Sequence, residues 1–386
     1  MKFYQKISSN FSLCLLLFFI GNMFIFLIPN SYFPDYKSIE DALNNKHNNS
    51  LFLTLQYLIL FIKTTIQSFF NYLLNANTLE PITLNIFSRQ IFFLINILFI
   101  LILPLLDSFF NQKSHIRTVS NQNLIYFTSL LYPSVLLSIT ASSAESIYSI
   151  ISIFLISRLI NFDFKILKFI FYFILLIYAF FLDKGNWLIF TSFLLFYFST
   201  YFIKNKLDDL KLTMLILVLV VIAKTLSANL IEYVGFFFNV TNNFQTIEAI
   251  NLLGLNDIEF LEVFKRYLYY WGTLLGIVTH HKNIVFSILI FILIIIIIIR
   301  KKILQSRSII NFNFSIIENK INTYLIFCFP IIIIIILPTH AFAKYYLFFI
   351  PIFLHFLLKF IDKNMLVLNV FLISLISISH QFIYFI

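Results

Sequence analysis

The stretch that decides the fold is "FIFYFILLIYAFFLDKGNWLIFTSFLLFYFS", residues 169–199. Residues 169–182 and 187–199 are apolar on every side, with no polar face for either helical or strand periodicity. A helix that is apolar all round belongs in a membrane or in a large core. Between the two runs lie Asp183, Lys184, Gly185 and Asn186. Gly185 permits a tight turn, and Asn186 can cap the helix that starts at 187. The pattern predicts two membrane spans joined by a short polar turn.

The rest of the chain repeats this theme. Of its 386 residues, 60% are hydrophobic and only 11% charged, with 52 Phe and 6 Gly, which is too little polar surface to cover a soluble core. Apolar runs of about 20 residues match a bilayer core of about 30 Å. The alternating polarity of a β-barrel is absent from the sequence. We therefore expect an all-α polytopic membrane protein, a single transmembrane domain over 1–386, with about eleven transmembrane helices. The runs lie at 11–30, 90–107, 124–140, 147–161, 169–182, 187–203, 212–231, 284–299, 321–338, 345–361 and 365–385. The N-terminus mimics a signal peptide but lacks a small-residue cleavage site, so it reads as an uncleaved first span. The segment 51–74, with Gln56, Lys63 and Gln67 among its apolar residues, reads as a surface or re-entrant helix. Cys14 and Cys328 sit inside apolar runs and read as small core residues. The bias to Ile, Phe, Asn and Lys points to an AT-rich genome and hence a bacterium.

Orientation follows from charge. With the N-terminus inside, the inner segments hold Lys2 and Lys6, Lys113 and Arg117, Arg158, Lys165 and Lys168, Lys204, Lys206 and Lys211, then the basic connector 300–320, and finally Lys359 and Lys363. That takes most of the 27 basic residues and explains the net charge of +10 without any nucleic acid. The outer side takes most acidic residues, in a first outer loop (31–89) with its interfacial helix and a large outer loop (232–283).

Several outer polar groups need a reason. "FPDYKSIEDALNN" (33–45) carries Asp35, Glu40 and Asp41. In "YPSVLLSITASSAESIYSIISIFL" (132–155), Ser142 or Ser143 can cap a helix with Glu145 in its first turn, where the dipole favours a carboxylate. "LNDIEFLEVFKRYLYYWG" (255–272) has a capping-box start and helical spacing of aromatics, an interfacial amphipathic helix presenting Lys265 and Arg266. His280 and His281 follow, and adjacent histidines point apart on a helix, so no metal site is read here. His340 and Lys344 lie four apart near the outer end of a late span. The spans read as almost free of charge, Lys224 excepted, and broken helices are hard to find, which argues against a transporter.

Outer carboxylates beside outer cations suit sugar transfer from a lipid-linked donor. An acceptor hydroxyl needs a carboxylate base, and a departing lipid diphosphate needs cations. On "PDYKSIED", "YPSVLLSITASSAESIYSIISIF", "LDKGNW", the large outer loop and "HAFAKYYLFFIPIF", the chain resembles the Wzy-type O-antigen or capsular repeat-unit polymerases. It differs in offering one clear outer-loop arginine, Arg266, where related enzymes have arginines in two large loops.

The resemblance implies undecaprenyl-diphosphate-linked glycans as donor and acceptor, membrane lipids and a chain-length regulator as partners, no cofactor and no metal. It implies residence in the bacterial inner membrane with a periplasmic active face. Glu145 or Asp183, with Asp35 in reserve, is the candidate base. Lys184, Arg266, His280, His340 and Lys344 are the candidate diphosphate ligands. Two alternatives stay open: a transferase that adds one sugar from a polyprenyl-phosphate donor, and a polysaccharide exporter or flippase.

Overall fold

The computed structural model describes residues 2–27, 81–110, 116–140, 144–159, 166–182, 328–331, 347–358 and 361–385, together with single positions at 218, 221–222, 225–226, 261, 264–265 and 267–268. Its main elements are α1 (Lys2–Leu27), α2 (Pro81–Phe110), α3 (Ile116–Leu130), α4 (Pro133–Ile139), α5 (Ala144–Leu159), α6 (Ile166–Leu182), α7 (Phe349–Leu357) and α8 (Lys363–Phe385). Among the described residues there is no strand.

Helices α1 to α6 run up and down, with α3 and α4 sharing one direction. Gly21 of α1 lies under the Phe93 ring of α2, and the Arg89 guanidinium reaches the Ile25 carbonyl, so α1 and α2 are antiparallel. A Cβ at residue 21 would come within 2.1 Å of the Phe93 ring, so only glycine lets the helices approach this closely. Asn96 meets Ser146 and Asp107 meets Arg158, so α2 and α5 are parallel. Tyr126 packs on Phe154 and Asn123 bonds Arg158, so α3 and α5 are antiparallel. The α6 helix folds back along α5, with Phe171 and Tyr172 against Phe154. One end of the bundle therefore collects the finish of α1, α4 and α6 and the start of α2 and α5. The other collects the start of α1, α3 and α6 and the finish of α2 and α5.

The centre is built from α3, α4, α5 and α7, which are buried nearly all round. In α5, Ser146, Ser149, Ser152 and Ser157 are all buried, and such small side chains let neighbouring backbones come close. The outer helices bury one stripe and expose another, and the exposed one is largely apolar. On α1 the buried Leu17, Ile20 and Phe24 contrast with the exposed Leu15, Phe19, Met23 and Phe26. On α2 the exposed large apolar residues are Leu94, Ile95, Leu98, Ile102, Leu105, Leu106 and Phe109. Ile170 and Ile174 of α6 and Met365, Leu368, Leu372 and Ile376 of α8 continue this apolar exterior.

The sequence reading needs four corrections. The run 124–140 is not one helix: it breaks at Leu131 and Tyr132, because Pro133 has no N–H to continue the ladder and starts α4 instead. The Tyr132 amide turns back to the Ser129 carbonyl at 3.1 Å, and Ser374 of α8 donates its hydroxyl to the Leu131 carbonyl. Pro104, by contrast, sits inside α2 without stopping it. The carbonyl it deprives, that of Ile100, lies 3.5 Å from the Tyr126 hydroxyl of α3. Second, α2 begins at Pro81, inside the segment 31–89 assigned to a loop. Third, the described helices are not free of charge: Arg89, Asp107 and Arg158 are all buried within them. Fourth, Arg158 belongs to the last turn of α5 and not to an inner loop.

Both cysteines are free, Cys14 buried and Cys328 half-buried, as small core residues are. In the large loop the described residues 261, 264–265 and 267–268 are helical, with Leu261 and Phe264 exposed and Tyr267 packed on the core. Segments 51–74 and 300–320 lie outside the described residues.

Candidate functional site

One stripe of α2 carries three buried polar residues that meet polar partners on neighbouring helices. Arg89, Phe93, Asn96, Ile100, Leu103 and Asp107 are spaced four and three residues apart and all are buried. Helical geometry stacks such positions on one face. Three polar residues thus point inward at three levels, while the exposed face is apolar but for Ser108.

The deepest-set node lies where α2 and α5 finish. Arg158 Nε is 3.1 Å from Asp107 Oδ2, with both side chains almost fully buried. Arg158 Nη2 donates to Asn123 Oδ1 at 2.6 Å, and the guanidinium carbon sits 4.8 Å over the Phe154 ring. The Tyr172 hydroxyl donates to Asp107 Oδ1 at 2.7 Å, and the Gln122 amide donates to the Arg158 backbone carbonyl at 3.2 Å. Four helices, α2, α3, α5 and α6, meet in this network. Asp107 Oδ1 takes the Tyr172 hydrogen bond, while Oδ2 faces Arg158 Nε at ion-pair distance without a hydrogen bond. The opposite charges cancel, which is what allows them to stay in a low-dielectric interior.

The second node is neutral. Asn96 Nδ2 donates to the Ile139 carbonyl at 2.8 Å and to Ser146 Oγ at 3.2 Å. One amide therefore ties the last residue of α4 to the first turn of α5. Ser138 and Ser149 share a hydrogen bond of 2.8 Å one turn away, and the Thr140 hydroxyl folds back to the Leu136 and Leu137 carbonyls. These bonds tie the end of α4 to the start of α5, the helix that includes Glu145.

Glu145 is the second residue of α5, so the helix starts where a Ser142 or Ser143 cap predicts. Asp183 and Lys184 come directly after Leu182, the last residue of α6, and lie outside the described residues, as do Asp35, Arg266, His280, His340 and Lys344. The ends of α6 and α1 and the start of α5 share one end of the bundle. Among the described residues no group of three or more His, Cys, Asp or Glu side chains converges as a metal site would.

Sequence reasoning missed Arg89, Asn96, Asp107, Asn123, Arg158 and Tyr172. A signal was present. Polar residues at four-three spacing inside an apolar run mark the protein-facing side of a helix. Asp107 escaped because it ended the 90–107 run and was taken as the span's boundary. Arg158 escaped because it followed a run of apolar residues and counted toward an inner positive charge.

No protein-family model, curated protein or solved structure matches the chain.

Proposed function

We propose that the chain is a multi-pass protein of the bacterial inner membrane that polymerises lipid-linked oligosaccharide repeat units at its outer face. The observation that carries membrane residence is the reversed polarity of the bundle: Leu94, Leu98, Ile102 and Leu105 face outward on α2 while Arg89, Asn96 and Asp107 face inward. Water would select the opposite arrangement, whereas lipid tails favour this one. Within α2, Arg89–Phe109 is the one stretch among the described residues that is both long and apolar enough to cross a bilayer, and shorter apolar stretches run through α1, α5, α6 and α8.

The direction of the helices supports the orientation. Lys2, Lys6, Arg117 and Lys168 lie in the helix ends that meet where α2 and α5 finish, and such basic ends stay in the cytoplasm. Glu145 belongs to the opposite end, as do the exits of α1 toward Asp35 and of α6 toward Asp183 and Lys184. The outer face then combines candidate bases with candidate cations, the two requirements for transferring a sugar and releasing a lipid diphosphate. In the reaction the acceptor hydroxyl loses its proton to Glu145 or Asp183, its oxygen bonds the donor's anomeric carbon, and the bond to the diphosphate breaks. The negative charge that leaves is met by Lys184 and Arg266, with His280, His340 and Lys344 as further donors.

The exporter or flippase reading gains from two features: a buried ion pair and a helix broken at Pro133. The pairing of Asp107 with Arg158 and Tyr172 fits a fixed joint better than a moving ion's site. Glycan length separates the readings. Glu145→Gln and Asp183→Asn are expected to leave single repeat units on the lipid carrier at the outer face, with the protein still in the membrane. Normal glycan length in both variants removes the polymerase assignment, and units trapped inside the cell favour the flippase.

A further inference from the structure

We propose that Asn96 is a positioning residue for the α4–α5 corner and sets the placement of Glu145, an inference that rests on reading Glu145 as a base. Asn96 lies on the buried stripe of α2 and is 2% exposed. Its single amide nitrogen serves two elements, with one bond to the Ile139 carbonyl at the end of α4 and another to Ser146 Oγ at the start of α5. These two anchors join the end of α4 to the start of α5, and Glu145 is covalently next to the second anchor.

Asparagine is suited to this task. A neutral amide carries two N–H donors on one nitrogen, so it can hold two acceptors without bringing a charge into the apolar interior. Aspartate of the same shape has no donor, and leucine has neither donor nor acceptor. The α4 helix is only seven residues long and starts at a break, so it lacks the rigidity of a continuous span and needs an external tie. Ser138 and Ser149 supply a second tie between α4 and α5, but within the corner itself Asn96 bridges from a third helix. A general base acts only when its oxygen is held close to the proton it takes, and a displacement of about 1 Å costs on the order of a hundredfold in rate. Loosening the corner therefore slows the chemical step and leaves binding of the lipid-linked unit alone.

The test uses the full-length protein in native membrane vesicles, supplied with lipid-linked repeat units extracted from cells that lack it. Asn96→Leu and Ser146→Ala are expected to lower kcat by on the order of tenfold to a hundredfold, with KM and membrane level unchanged. Ser146→Thr, which keeps the hydroxyl, recovers most of what Ser146→Ala loses. Asn96→Leu combined with Glu145→Gln is no slower than Glu145→Gln alone, because both act through one group. Normal turnover in Asn96→Leu and Ser146→Ala, beside an inactive Glu145→Gln, overturns the proposal and leaves the reading of Glu145 intact. Normal turnover in all three overturns both. A raised KM with normal kcat also overturns it, since Asn96 then serves binding. Ser146→Ala decides the matter if Asn96→Leu fails to accumulate, because it removes one hydroxyl and nothing else.

Discussion

Two nodes on the same stripe of α2 solve the burial of polar atoms in different ways. At Asp107 an ion pair is enclosed by four helices, and its charges are matched by Asn123, Tyr172 and the Phe154 ring. At Asn96 a neutral amide bridges two helix ends. The charged node resists change because removing either member strands the other in a medium that cannot solvate it. The neutral node loses two hydrogen bonds and strands no charge. The bundle thus has a rigid joint at one end and an adjustable one beneath the corner that carries Glu145, and a proposed catalytic group is found beside the second.

The largest expected effect breaks the charged node. Arg158→Ala or Asp107→Ala should each cost about 3–5 kcal/mol, measured as loss of thermal stability in detergent and of protein in the membrane. The double substitution Asp107→Leu with Arg158→Leu should recover most of that loss. Equal loss in the double variant would mean that the pair contributes net stability and is more than a matched set of charges.

The second effect tests what surrounds the stripe. Leu98 lies two residues from Asn96 but on the exposed face. Leu98→Arg should impair insertion by about 2.5–3.5 kcal/mol, the cost of an unpartnered charge at the centre of a span. The same helix tolerates Arg89 only because that side chain is turned into the bundle, where it bonds the Ile25 carbonyl. Normal insertion of Leu98→Arg would show that this face meets water or protein instead of lipid.

The smallest effect is at the neutral node. Asn96→Leu should cost about 1–3 kcal/mol of thermal stability, well below Arg158→Ala, because a buried carbonyl and a hydroxyl lose partners while no charge is exposed. Equal losses at the two nodes would erase the distinction between them.

These nodes also show where the sequence could be read and where it could not. Apolar runs located helices α1, α2, α5, α6, α7 and α8 because a span needs only length and greasiness. The start of α5 was legible because serines followed by a glutamate are the residue types that open a helix, and α5 starts at Ala144. The break before Pro133 was not legible, since Pro104 carries the same chemistry and does not break its helix. What separates the two prolines is tertiary: Tyr126 reaches the carbonyl that Pro104 deprives, while the break at Leu131 is met by Ser374 from the far end of the chain. The ion pair was hidden for a related reason. Asp107 and Arg158 are each ordinary at the end of an apolar run, and only their packing reveals a pair. Of the candidate site, the stripe through Asn96 could be read from its four-three spacing, but the partners of Asn96 could not, since they lie some forty to fifty residues away.

The orientation of the bundle is the central claim, because every proposed role for Glu145, Asp183 and Lys184 depends on it. It is tested most directly by labelling intact cells with a membrane-impermeant maleimide. The protein carries Lys184→Cys or Lys113→Cys in a background with Cys14 and Cys328 replaced by alanine. The account predicts that position 184 labels from outside and that position 113 labels only after the membrane is opened. Labelling of position 113 from outside, with 184 protected, would contradict it.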